Sequence, residues 1–218
     1  MIRALLSWSS GKDSAYALHE VRRGGELEIA GLLTTLTRAY GRVSMHGVRE
    51  DLLDEQARVA ELPLIKVAIP TPCSNEDYEA EMTQALGAAR DRGITHVVYG
   101  DLFLTDIRAY REAQLAKLGM TAVLPLWGRD TRSLAEEMLA AGVAARLTCV
   151  DPRRLAATFA GRRFDADLLA ELPPGVDPCG ENGEFHTFVT DGPMFTRPIT
   201  VAVGEIVERD GFVFADLK

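Results

Sequence analysis

The chain opens on a change of character that few folds accommodate. Ile2 to Leu6 is a short apolar run, Ser7 to Ser14 reads Ser-Trp-Ser-Ser-Gly-Lys-Asp-Ser, and Ala15 to Val21 has helical spacing. Strand, tight polar loop and helix in that order surround a phosphate with backbone N–H groups and the positive end of a helix. Ser9, Ser10 and Ser14 supply hydroxyls, Gly11 lets the main chain approach a ligand because it has no Cβ, and Lys12 brings a compact positive charge. A phosphate repels Asp13 unless that carboxylate holds Mg2+ or answers the helix dipole. The segment is not a Walker A loop. Asp13 follows Lys12 where Ser or Thr is required, and Leu6 stands five residues before Gly11 where Gly is required.

Strand-like and helix-like stretches then alternate, which predicts an α/β layer with a parallel sheet. Strands are expected over 2–7, 28–36, 64–69, 96–99 and 121–124, with helices over 12–23, 49–61, 75–92, 107–118 and 133–141. The stretch 37–47 has no period and reads as a loop, and its lone His46 reads as solvent-exposed. Ligands of open α/β sheets lie beyond the carboxyl ends of the strands. The serine-rich loop, Thr34-Thr35 and Gly100-Asp101 all fall at such ends. From Ala145 the pattern changes to a strand over 145–150, a helix over 165–172, and a hairpin over 199–217 turning at Asp210-Gly211. The expected division is a nucleotide-binding domain over 1–143 and a smaller C-terminal α+β domain over 144–218, with a cleft between them.

Composition narrows the function classes. The 218 residues carry a net charge of −8, which is poorly suited to broad contact with nucleic-acid backbone. No apolar run approaches the roughly 20 residues that span a bilayer, and a cytoplasmic location with no membrane partner is expected. Cys73, Cys149 and Cys179 are widely spaced without C-x-x-C, which argues against structural zinc and a disulfide framework. Cys179 is the cysteine that could line a site. Trp8 and Trp127 read as packing residues and His19 as a surface residue.

A second signature lies at 178–195, Pro-Cys-Gly-Glu-Asn-Gly-Glu-Phe-His-Thr-Phe-Val-Thr-Asp-Gly-Pro-Met-Phe. Strand alternation from Glu184 puts Glu184, His186 and Phe188 on one face and Phe185, Thr187 and Val189 on the other. A carboxylate and an imidazole on one face can share a proton, bind a cation or orient an amine.

The first loop resembles the PP-loop, S-G-G-K-D-S, of the N-type ATP pyrophosphatases, with Ser10 in place of the first glycine. If that position needs positive φ, a serine there costs about 1–2 kcal/mol. The second signature resembles the G-E-x-G-E-F-H-T segment of the diphthine–ammonia ligase family. Gly100-Asp101-Leu102 and Leu124-Pro125-Leu126-Trp127 also match that family in place and spacing.

The resemblance implies a Rossmann-like (HUP-type) fold of the adenine-nucleotide α-hydrolase superfamily, with ATP and Mg2+ as cofactors. It implies adenylation of a carboxylate, departure of pyrophosphate, and attack by ammonia to give an amide and AMP. Ser9, Ser10, Gly11, Lys12, Asp13, Ser14, Thr34, Gly100 and Asp101 would hold the nucleotide, and Asp13 with Asp101 the Mg2+. Lys12, Asp13, Glu184 and His186 would be catalytic, while Glu181, Asn182 and Glu184 would face ammonia and acceptor. Tyr110 and Arg111 would lie near the cleft. The family's acceptor is a modified histidine of archaeal and eukaryotic elongation factor two. The Ala-, Arg- and Leu-rich composition here points to a GC-rich, bacterial genome, so the acceptor is left as an unidentified carboxylate. A non-catalytic ATP-binding sensor of the same superfamily is the alternative that Ser10 favours. The C-terminal hairpin edge permits a homodimer.

Overall fold

The computed structural model describes residues 1–218. In chain order the elements are β1 (Ile2–Ser7), α1 (Lys12–Gly24), β2 (Leu27–Thr37), β3 (Arg42–Val43), α2 (Glu50–Ala60), β4 (Leu64–Ile69), α3 (Asn75–Arg90), β5 (His96–Val98), α4 (Thr105–Lys117), β6 (Thr121–Val123), α5 (Thr131–Ala140), β7 (Ala144–Val150), β8 (Arg163–Phe164), α6 (Ala166–Glu171), β9 (Phe185–Asp191), β10 (Val203–Arg209) and β11 (Phe212–Leu217). A single turn of 3-10 helix, Ala157–Phe159, lies between β7 and β8.

Two sheets result. In the first, the parallel strands run β4-β2-β1-β5-β6. That is the order of a Rossmann-like sheet, whose switch point lies beside the first strand. The second sheet is antiparallel, with β9 on one side of β7 and β11 and β8 on the other, and β10 outside β11. One buried apolar cluster runs from Leu6, Trp8 and Leu18 of the first sheet's layer to Leu147, Phe188 and Val213 of the second. The two sheets are therefore held by a shared core. No helix is long and apolar enough to cross a membrane.

The expected loop at 37–47 contains a strand. β2 runs on past the end of β1, and Leu36 and Thr37 pair with β4 on one edge and with Val43 and Arg42 of β3 on the other. Thus β3 occupies the place beyond the carboxyl end of β1, and residues 44–46 lie beside the serine-rich loop. Two paired residues are too few to leave a periodic signal in the sequence. The last hairpin also departs from expectation, because β10 begins at Val203 rather than Ile199. Pro198 lacks an N–H, and Ile199 instead joins Thr190 through one hydrogen bond of 2.7 Å.

Candidate active site

The serine-rich loop is built from its own hydroxyls and clamped from outside. Ser9 Oγ and Ser14 Oγ lie 3.1 Å apart, and Ser14 Oγ donates to the Gly11 carbonyl at 2.9 Å. Ser10 adopts φ 72°, the left-handed region that favours glycine. Its hydroxyl is buried with no hydrogen-bond partner. Gln56 of α2, fully buried, donates from Nε2 to the carbonyls of Ser10 (3.0 Å) and Val189 (2.8 Å) and accepts at Oε1 from Trp8 Nε1 (2.9 Å). The N-cap residue of α1 is Gly11, which has no side chain to cap the helix. Gly100 lets the end of β5 abut that first turn, since a Cβ there would lie 2.7 Å from the Asp13 carbonyl carbon.

The second sheet presses β9 against this loop. Val189 N donates to Ser10 O at 3.0 Å, and Lys12 N donates to Thr187 Oγ1 at 3.1 Å. Lys12 is buried, with its ammonium on both Asp13 oxygens (2.9 and 3.0 Å) and on the Cys179 carbonyl, between the rings of Phe164 and Phe185. Burial opposes the Lys12 charge, but Asp13 beside it holds its pKa above the ordinary lysine value.

A cavity of about 310 Å³ opens over the loop. Ser9, Lys12, Asp13 and Ser14 form its floor, while Gly100, Asp101 and Arg111 form one side and Glu181, His186 and Thr187 another. Asp101 pairs with Arg111 Nε at 2.7 Å, and the Arg111 guanidinium stacks on Tyr99 at 4.2 Å. Glu181 Oε1 accepts from Leu102 N at 2.7 Å, which ties the C-terminal turn to the end of β5. Burial, aided by Asp13 and Asp101, pushes the Glu181 carboxyl up to about 7. The rings of His46 and His186 lie 4.6 Å apart. Burial lowers His46 to about 3 and His186 to about 4, so both imidazoles are neutral at pH 7. No three His, Cys, Asp or Glu side chains converge to hold a metal ion.

Residues 2–122 match the family described as Diphthamide synthase N-terminal domain, and residues 130–216 match Diphthamide synthase C-terminal domain. The chain belongs to the diphthamide synthase family. Among its curated relatives, the bovine and human proteins called diphthine–ammonia ligase are each 26% identical over 235 residues, covering 95% of this chain and 85% of the relative. The Schizosaccharomyces pombe protein of that name is 28% identical over 231 residues, covering 96% of this chain but 38% of that longer protein. A solved structure from Methanocaldococcus jannaschii, titled as a "predicted subunit of tRNA methyltransferase", aligns over 91% of this chain and 100% of its own, with 14% identity and a TM-score of 0.43.

The structure brings most of the expected family site together and relocates part of it. Ser9, Lys12, Asp13, Ser14, Gly100, Asp101, Glu181 and His186 line one cavity, with Ser10 and Gly11 buried in the loop behind it. Thr34 is turned inward and donates to the Trp8 carbonyl at 2.7 Å, while Thr35 faces the cavity. Glu184 does not share the face of His186. It precedes β9, so strand alternation does not extend to it. Its Oε1 accepts from Asp177 N and Asn182 Nδ2, both at 3.1 Å, and neither Glu184 nor Asn182 lines the cavity. Arg111 is in the site and Tyr110 is exposed outside it.

Sequence reasoning missed Gln56, whose partners are remote in the chain, and set His46 aside as a lone loop histidine. His46 lines the cavity over Gly11, where a Cβ would meet its Cε1 at 2.8 Å. Its Nδ1 lies 3.0 Å from the Thr187 carbonyl. That carbonyl can only accept, so Nδ1 carries the proton and Nε2 keeps its lone pair.

Proposed function

We propose that this protein is an ATP-dependent ligase, similar to diphthine–ammonia ligase, that adenylates a carboxylate and amidates it with ammonia. The observation that carries the reading is the convergence on one cavity of the serine-rich loop at the start of α1, a buried lysine, and two groups from the C-terminal segment, the Glu181 carboxyl of the 180–183 turn and the His186 imidazole of β9. A carboxylate is a poor electrophile. Its oxygen would attack the α-phosphorus, the α–β bridge would break, and pyrophosphate would depart. Ammonia would then attack the acyl carbon, and AMP would leave.

Residues 9–14 would hold the phosphates, with Lys12 countering charge that grows on the leaving pyrophosphate. Mg2+ binds through one or two carboxylates together with phosphate oxygens. Asp13 and Asp101, in one cavity and each already beside a cation, fit that mode of holding it. Such an ion would neutralise phosphate charge. Glu181, held near 7, and His186 are the groups placed to orient ammonia and take its proton. In this reading residues 1–143 bind the nucleotide and residues 144–218 supply the ammonia and acceptor side. Glu184 and Asn182 shape the turn that presents Glu181.

The test is incubation with ATP, Mg2+, ammonium and a metabolite extract, followed by assay for AMP and pyrophosphate. ADP and phosphate as products would overturn the reading. ATP binding without cleavage would establish instead the non-catalytic nucleotide-binding protein that Ser10 favours.

A further inference from the structure

A second cavity, of about 220 Å³, adjoins the first. The two share Val43 and Met45 in their walls, while Ser44 and His46 face the first alone. The second lies between the β2–β3 hairpin and the C-terminal hairpin. Along β11, Val213, Ala215 and Leu217 are buried in the core, and the alternate residues Phe212 and Phe214 point the other way. Cross-strand pairing puts Val207 opposite Phe214 and Arg209 opposite Phe212. Directly paired residues share a face, so one side of the hairpin offers two aromatic rings, a valine and a guanidinium to the space beside Met45.

This space is built rather than incidental. Arg42 and Arg49 both grip Asp216, at 2.9 and 2.6 Å, and so bolt the β3 segment to β11. Met45, in the shared wall, has φ 64°, and His46 N donates across it to Ser44 O at 2.8 Å. That is a three-residue turn of a strained kind, and such strain persists where the surroundings enforce it. Charge at the mouth is uneven. Asp216 is neutralised by its two arginines, and Asp210 sits in the turn, whereas Arg209 is exposed, stacks on Tyr40 at 5.1 Å and has no carboxylate partner.

We propose that this second cavity seats the acceptor, a small organic acid with an apolar body, and that Arg209 draws the anion in. The volume lies below the roughly 300–1,000 Å³ of sites for drug-sized ligands, which limits the occupant to a short alkyl or single-ring acid. Apolar walls accept its body, and the shared Val43–Met45 edge places it next to the phosphate loop. The inference rests on the ligase reading for the word acceptor. The binding site itself stands apart from that reading.

The experiment uses the full chain without ATP. Phenylacetate, hexanoate and the neutral phenylacetamide are titrated and followed by saturation-transfer NMR. The expected result is binding of at least one of the two acids, with phenylacetamide at least fivefold weaker than phenylacetate. V207W, which fills the cavity from an exposed strand, abolishes acid binding while retaining affinity for ATP. R209A weakens it at least fivefold, and R209K restores part of it. Acid binding that survives V207W, or no binding of either acid, overturns the proposal. If the acids bind as described but ATP is never cleaved to AMP, the ligase reading fails and the site remains.

Discussion

Gln56 Nε2 donates to the carbonyl oxygen of Ser10 at 3.0 Å, joining α2 to the serine-rich loop across 46 residues. The same amide satisfies Val189 O of the second sheet, and its oxygen takes the indole N–H of Trp8. One buried side chain thus fixes the loop, the helix behind it and the strand beside it. Gln56→Leu keeps the approximate volume, leaves the Trp8 indole N–H without its acceptor and takes a donor from Val189 O, while Ser10 O keeps the Val189 N–H. Leaving a buried polar group unpaired costs about 1–3 kcal/mol, and a total near ~2 kcal/mol is expected. Urea unfolding is the measurement. A loss below about 1 kcal/mol would show that the clamp matters little.

Ser10→Gly is expected to stabilise the protein. The serine holds φ 72° and buries an unpartnered hydroxyl. Relief of that backbone conformation is worth about 1–2 kcal/mol, and the greater freedom of glycine in the unfolded chain offsets part of it. A net gain near 1 kcal/mol is expected, with ATP affinity unchanged or improved. Ser10→Val should lose stability instead, since a β-branched residue tolerates this φ worst. If glycine proves less stable than serine, the hydroxyl has a native partner and the strain argument fails.

The loop and the alternation of strands and helices were legible because their signals are local. A strand, a serine–glycine–lysine bend and a helix start occupy residues 2–24 without interruption. Gly100-Asp101 was found by the rule that ligands sit at strand ends. What escaped depended on partners far along the chain. Gln56 looked like any polar residue of an amphipathic helix until its neighbours at 8, 10 and 189 came together. His46 became a site residue only because β2 outruns β1 and carries β3 over the loop. Glu184 was misplaced for the opposite reason. Alternation was extended one residue before the strand begins, and the turn at 180–183 sends its carboxylate back to Asp177.

Lys12→Ala removes the only cation that lies between the phosphate loop and the rings of Phe164 and Phe185. It also leaves Asp13 without its ion-pair partner at 2.9 Å. With amidation assayed as AMP formed, turnover should fall more than tenfold, as expected when a positioned charge is removed from a developing anion. Pyrophosphate release at the wild-type rate in this variant would remove the role assigned to Lys12.

The His46–His186 pair gives the fold a directional response to acid. Burial depresses His46 to about 3 and His186 to about 4 from an ordinary 6.5, with each ring also disfavoured by the Lys12 charge. As pH falls below 6.5 the unfolded chain takes up protons that the folded pair refuses. Their stabilising contribution is therefore present above pH 6.5 and lost as pH drops toward 4. Glu181 works in the other direction. Its folded carboxyl, raised to about 7 from 4.5, keeps a proton that the unfolded chain has released. That contribution is present below pH 4.5 and lost as pH rises through 7. Thermal midpoints between pH 4 and 8 separate the two effects. In His46→Asn/His186→Asn the decline from pH 6.5 to 4 should flatten, and Glu181→Gln should exceed the wild type above pH 7 while matching it near pH 4.5. An acid limb in the double variant as steep as in the wild type would mean that both imidazoles are protonated freely in the folded state, and the packed, neutral pair would be discarded.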